Sequence, residues 1–196
     1  MDLRMVKTHG RIRDAFLNLR KRLMPDKIKV KDICEMAMIN KTTFYHHYAD
    51  SWQLSNEIDD SAIDQVLSNF SERGLLFEDP KRYLTGLIGA LERESEHLRV
   101  VFRGKQEILC AKLEARLRAF YDKTAQSEED RVTLSFAVGG FVRVAKDCLF
   151  AEKSCDTDRM VQSAVNTLET LLNANADTSD KSREKHRGDC YGNENS

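Results

Sequence analysis

The chain has 196 residues, room for one large domain or a small domain beside a medium one. With only 2 Pro and 9 Gly, with 5 scattered Cys that form no C-x-x-C pair, and with no apolar run of the ~18–20 residues a membrane span needs, it excludes collagen-like, turn-dense all-β, disulfide-framework and membrane-spanning classes. The net charge of −1 hides an asymmetry: residues 1–50 hold 11 Lys and Arg against 6 Asp and Glu, and the remainder holds 20 against 26, so a polyanion is expected at one end of the molecule.

Helical periodicity runs through the chain. Ile12, Ala15, Phe16, Leu19 and Leu23 form one apolar stripe, which Met24-Pro25-Asp26 ends. A short helix is predicted over Val30–Ala37, with Ile33 and Ala37 facing inward. Met38-Ile39-Asn40 breaks it from a second short helix over Lys41–Tyr48, whose apolar side is Phe44 and Tyr48. Asp50 reads as an N-cap with Gln53 at N3, and Leu54, Ile58, Ala62, Val66 and Phe70 then step by four down a long helix.

Pro80 suits the first turn of the next helix, predicted to carry Tyr83, Leu87, Leu91 and Leu98 through about residue 99. Gly104 is a break, and Leu109, Leu113, Leu117 and Phe120 line the helix that follows. Ser127 with Asp130 at N3 is a second cap. The stretch Val132–Phe150 is apolar nearly all round, so it requires cover on two sides. Met160, Val161, Ala164, Val165, Leu168, Leu171 and Leu172 give about two apolar residues per turn in the last helix. From Asn173 the sequence turns to Asn, Asp, Ser, Lys and Gly, and residues 175–196 read as a disordered tail. The N-terminus, MDLRMVKTHGR, lacks an apolar core with a cleavage site, and with the unpaired thiols this favours the cytoplasm.

The segment from Lys29 to Tyr48 carries the chemistry. Two short helices joined by three residues have the size of a helix-turn-helix. The outer side of the second carries Lys41, Thr42, Thr43, Tyr45, His46 and His47, a dense set of donors, and residues 40–49 contain no acid. A polar solvated face normally mixes Glu with Lys. Hydroxyls, a phenol, imidazoles and an ammonium without acids suit phosphate oxygens and base edges.

KVKDICEMAMINKTTFYHHYADSWQL resembles the helix-turn-helix of TetR/AcrR-family transcription regulators, whose pattern is roughly T-V-x-D-I-A-x-x-A-G-V-S-x-x-T-F-Y-x-H-F-x-S-K-x-x-L, and its wording is nearest the DhaS-like subgroup. Thr43-Phe44-Tyr45, His47 and Leu54 fall in register, and the resemblance covers about residues 8–54. It implies that Lys31 reaches a base or phosphate, that Lys41, Thr42 and His46 face bases, and that Thr43, Tyr45 and His47 grip phosphates. Three positions depart from the pattern. Lys29 stands in place of a capping Thr, Met38 in place of the turn Gly, and Ser51 in place of a phosphate-clamping Lys.

The expected fold is all-α. An N-terminal three-helix DNA-binding domain (1–50, motif about 30–49) precedes a larger helical domain for ligand binding and dimerisation (51–174) and the tail. By the resemblance the body holds a ligand pocket and a dimer interface. Independently, Val132–Phe150 and the last helix, taken from two subunits, would make a four-helix bundle. Tyr83, Phe102, Tyr121, Phe136 and Phe141 are pocket candidates, with ordinary core packing as the alternative.

Enzyme readings are thin. Glu94-x-x-His97 is one copy of a di-metal spacing that needs two. Cys148 and Cys155 supply two ligands where zinc wants four, and His46 and His47, adjacent on a helix, chelate poorly. There is no Gly-rich phosphate loop and no G-x-S-x-G. No catalytic residue, metal or cofactor is expected. The expected function is a homodimeric, ligand-responsive repressor on a palindromic double-stranded DNA operator, with a small-molecule effector of unidentified class and no membrane partner. The alternatives are a DhaS-like regulator or activator whose body binds a protein, and a helical interaction module without DNA binding.

Overall fold

The computed structural model describes residues 3–121, 127–150 and 156–188, the last stretch as backbone alone from 173 onward. Among them are nine α-helices and no strand: α1 (Leu3–Arg20), α2 (Val30–Ala37), α3 (Lys41–His47), α4 (Ser51–Ser68), α5 (Pro80–Arg93), α6 (Ser95–Val101), α7 (Gln106–Tyr121), α8 (Glu128–Phe150) and α9 (Thr157–Gly188). No helix is long and apolar enough to cross a membrane among the described residues.

The helices start where their side chains can satisfy free backbone N–H groups. Asp50 Oδ1 accepts from Gln53 N–H at 2.7 Å, while Gln53 Oε1 accepts from Ala49 N–H at 2.6 Å. Ser127 and Asp130 cap each other reciprocally at the head of α8, with both bonds at 3.0 Å. Asp79 caps α5, with Pro80 in the first turn.

The apolar stripes meet in one continuous core. Ile12 and Phe16 of α1, Ile33 and Ala37 of α2, and Phe44 of α3 form its head end. Leu54, Ile58, Ala62 and Val66 carry it along α4 into the body, where α5 and α7 pack on α8 and α8 on α9.

Three expectations need correction. The helix predicted from Pro80 to about 99 is two helices, broken at Glu94, whose φ of −103° and ψ of 11° leave the helical region. The bend turns Leu98 and Val101 into the core on a different axis from Leu87 and Leu91. Phe120 is exposed and its neighbour Tyr121 is buried in its place. The backbone of α9 stays helical to Gly188, over most of the segment expected to be a disordered tail. No Pro or Gly interrupts it before Gly188, so helix begun on the Val161–Leu168 stripe propagates. Residues 189–196 lie outside the described residues.

Gly104 has φ +73°, and a Cβ there would meet Met24 Sδ at 2.8 Å. The Met24 thioether is the flexible end of its side chain and can yield, so it is the positive φ that calls for glycine in the turn between α6 and α7. That turn is also where the head meets the body. Arg20, fully buried at the end of α1, donates to Leu23 O (2.9 Å), Val101 O (3.0 Å) and Arg103 O (2.6 Å). Lys105 donates to Ser55 Oγ (2.9 Å) and both carboxylate oxygens of Asp59 (2.5 and 2.7 Å) on α4. Farther along, Lys112 binds Asp60 at 2.7 Å and Arg116 binds Asp64 at 2.9 Å, so charge pairs join α4 to α7.

Candidate nucleic-acid interface

The turn between α2 and α3 is built as its length requires. Met38 sits in the left-handed region, φ 51° and ψ 50°. Ile39 N–H then reaches back to Cys34 O at 3.0 Å, closing α2 with the 6→1 bond of a Schellman turn. Asn40 starts α3 at once, its Oδ1 accepting from Thr43 N–H at 2.7 Å. Arg11 of α1 ties this corner down by donating to Ala37 O and, at 3.2 Å, to Met38 O.

With Phe44 fully buried, α3 turns Lys41, Thr42, Tyr45 and His46 together into solvent. Thr43 and His47 are half-buried on its flanks. Lys29 and Lys31 are exposed at the start of α2, where Lys29 N–H donates to Asp32 Oδ2 at 3.2 Å and the Lys31 ammonium lies 3.6 Å from Glu35. Ser51 is half-buried in the first turn of α4. Thus four of the nine expected residues share the outward face of α3, two flank it, and three lie on the neighbouring helix starts. Burial, then the nearby His9 and His46, lowers the pKa of His47, so its ring favours the neutral form.

The C-terminal end of α3 is held by residues the sequence reading did not single out. Tyr48 Oη lies 2.7 Å from His9 Nε2 and donates to Glu57 Oε1 at 3.1 Å. Arg13 holds the same carboxylate oxygen at 2.7 Å. Burial, then Glu57, pushes the Tyr48 phenol well above its ordinary value and keeps it a donor. The partners are 39 and 9 residues from Tyr48, so no local pattern reveals them.

Four of the five pocket candidates lie in the core and one is on the surface. Tyr83 and Phe102 are fully buried, and Tyr121 and Phe141 nearly so. Tyr83 packs edge-on against Phe70 at 5.0 Å and lies 5.9 Å from Phe141. Phe102 sits beside Lys105, and Tyr121 donates to Arg73 O. These four side chains pack in the core. Phe136 is the exception, 68% exposed. With Phe141, Val144, Ala164, Leu168 and Leu171 it lines an open apolar groove of about 320 Å³ between α8 and α9. Glu94 of the E-x-x-H accepts from the Asn69 amide at 3.1 Å, and no group of three or more potential metal ligands occurs among the described residues. Cys155 lies outside them.

No known family model matches the chain, and no curated protein matches it in sequence. Among solved structures, it is similar to the dihydroxyacetone kinase operon activator DhaS, with a TM-score of 0.50 and 16% identity over 85% of this chain and 97% of that one. A TetR-family transcriptional regulator from Pectobacterium atrosepticum matches with a TM-score of 0.43 and 15% identity, covering 88% of this chain and 95% of the other. At such identity the likeness concerns the backbone: the chain has the all-helical fold of the DhaS regulator.

Proposed function

We propose that the chain is a DNA-binding transcription regulator that works as a homodimer, most simply a repressor released by a small-molecule effector. The observation that carries DNA reading is the corner at Met38. It sets α3 on the protein surface with an outward face of Lys41, Thr42, Tyr45 and His46 and no acid along residues 40–49. Such a face can lie in a major groove, with the phenol and hydroxyls on phosphates and the ammonium and imidazole at base edges.

Dimerisation is supported by the apolar groove between α8 and α9 and by Val132 and Phe136, which are 56% and 68% exposed. A second copy would give α8 the two-sided cover its sequence asks for. The fold likeness to DhaS, by name an operon activator, favours activation as the second reading of the sign.

The test is selection of bound duplexes from a random pool, followed by sedimentation of the complex. A near-palindromic site with half-sites about one helical turn apart, bound by two chains, is expected. Tyr45→Phe should weaken binding to all sequences alike, whereas Thr42→Ala and His46→Ala should change the selected sequence. No enrichment over random duplex would reject the reading in favour of an interaction module.

A further inference from the structure

The helix-turn-helix is not the only part of the head that is cationic. Arg4, Lys7, Thr8 and Arg11 recur at the spacing of one helical face, so the first turns of α1 present a polar stripe beside the apolar one. From Leu3 to Arg13 there is no acidic residue.

This stripe forms one wall of an open groove of about 640 Å³. Its other wall is the turn before α3 together with the start of that helix, through Met38, Ile39, Asn40 and Thr43. Every charged residue that lines the groove is a cation. Arg4 and Lys7 are exposed, and Lys7 has no hydrogen-bond or ion-pair partner among the described residues. Arg11 is committed to Ala37 O and Met38 O, so it fixes the groove floor while its charge still adds to the local field. Asn40 spends its carbonyl oxygen on the cap of α3, which leaves its amide N–H groups as donors.

Resting on the DNA-binding reading, we infer that this groove seats the sugar-phosphate backbone of the same duplex, with Lys7 and Arg4 on its phosphates. The occupant follows from charge and from continuity. The groove shares Thr43 with the candidate interface, so a strand gripped at Thr43 runs on past α1. An open groove lined by exposed cations suits a polyanion that passes through. A free phosphate would ask for enclosure and fixed donors. Phosphate contacts of this kind set register and affinity and carry no sequence information.

The experiment measures binding of the full-length protein to its selected duplex by anisotropy between about 50 and 400 mM salt. Lys7→Gln and Arg4→Gln remove charge from exposed helical positions and keep helix propensity. Each should lower the slope of log K against log salt by about 0.9, which is about an eightfold loss at 0.1 M, and leave the preferred sequence unchanged. Lys27→Gln makes the same charge change elsewhere in the head, on a residue exposed outside the groove. Slopes for Lys7→Gln and Arg4→Gln no different from that of Lys27→Gln would overturn the inference while leaving DNA binding intact. Absence of wild-type binding would reject the DNA-binding reading itself. Inorganic phosphate should compete no better than chloride at equal ionic strength. Preferential competition would make the groove a free-anion site and also overturn the inference.

Discussion

Arg20 at the end of α1 and Val101 at the end of α6 are joined by a buried hydrogen bond, Nη2 to carbonyl oxygen at 3.0 Å, across 81 residues of sequence. The same guanidinium satisfies Leu23 O and Arg103 O. Arg20→Ala would leave those carbonyls short of a donor and open a cavity. A loss of about 3 kcal/mol or more is expected, since hydrogen bonds to a charged donor contribute about 1.5–3 kcal/mol each. Chemical denaturation at neutral pH measures it, and a loss under about 1 kcal/mol would show that water replaces the side chain without cost.

Met38 carries a Cβ in a left-handed conformation, which costs roughly 1–2 kcal/mol. Its side chain is 81% exposed, so little packing offsets the strain. Met38→Gly relieves it and adds about 0.4–1 kcal/mol of unfolded-state entropy. The net expectation is a gain between zero and about 1.6 kcal/mol, read as a rise of up to several degrees in thermal midpoint. A fall in midpoint would mean that Met38 holds α3 through contacts its exposure does not suggest.

The Tyr83 hydroxyl is buried without a hydrogen-bond partner among the described residues. Burial raises its pKa, so it stays a neutral phenol at any ordinary pH. An unsatisfied buried donor costs about 1–3 kcal/mol, and Tyr83→Phe keeps the ring contacts with Phe70 and Phe141. The variant should be as stable as the parent or more stable by calorimetry. Destabilisation by more than about 1 kcal/mol would reveal a partner that the phenol serves.

His97 is half-buried on α6, and desolvation depresses its pKa from 6.5, opposed by Glu94 and reinforced by Arg13. His47 is depressed in the same direction. A base with a lowered native pKa binds fewer protons folded than unfolded, so stability rises with pH through that window. Near neutral and above, both rings are neutral in either state and cost nothing. As pH falls below about 6.5 the unfolded chain protonates first and stability is lost. His97→Gln should flatten the midpoint-against-pH curve between about pH 7 and 5, where an unchanged slope would remove His97 from the account.

What was legible in the sequence is what neighbouring residues decide together. The helix breaks at Met38 and Gly104 and the paired caps at Asp50 with Gln53 and Ser127 with Asp130 each involve residues at most four apart. The outward set on α3 was legible for the same reason, since burying Phe44 dictates where Lys41, Thr42, Tyr45 and His46 point. Arg20, Lys105 and the Tyr48 network were not legible. A cation is buried only where distant groups receive it, and Asp59 lies 46 residues from Lys105. The bend at Glu94 was hidden because Arg93-Glu94-Ser95 contains no helix breaker, so packing of Leu98 decides it. For the aromatic pocket candidates spacing could not separate the two roles, because it fits a filled core as well as a lined cavity.

The turn 101–105 has a mechanical meaning. It is tethered to the end of α1 through Arg20 and to the middle of α4 through Lys105, the helices that precede and follow α2 and α3 in the chain. With both tethers in place, α1 and α4 cannot slide past one another without breaking one. A shift of α6 would therefore be felt by α1 and α4 together. A strain that reaches this turn is shared by the two helices rather than taken up by one.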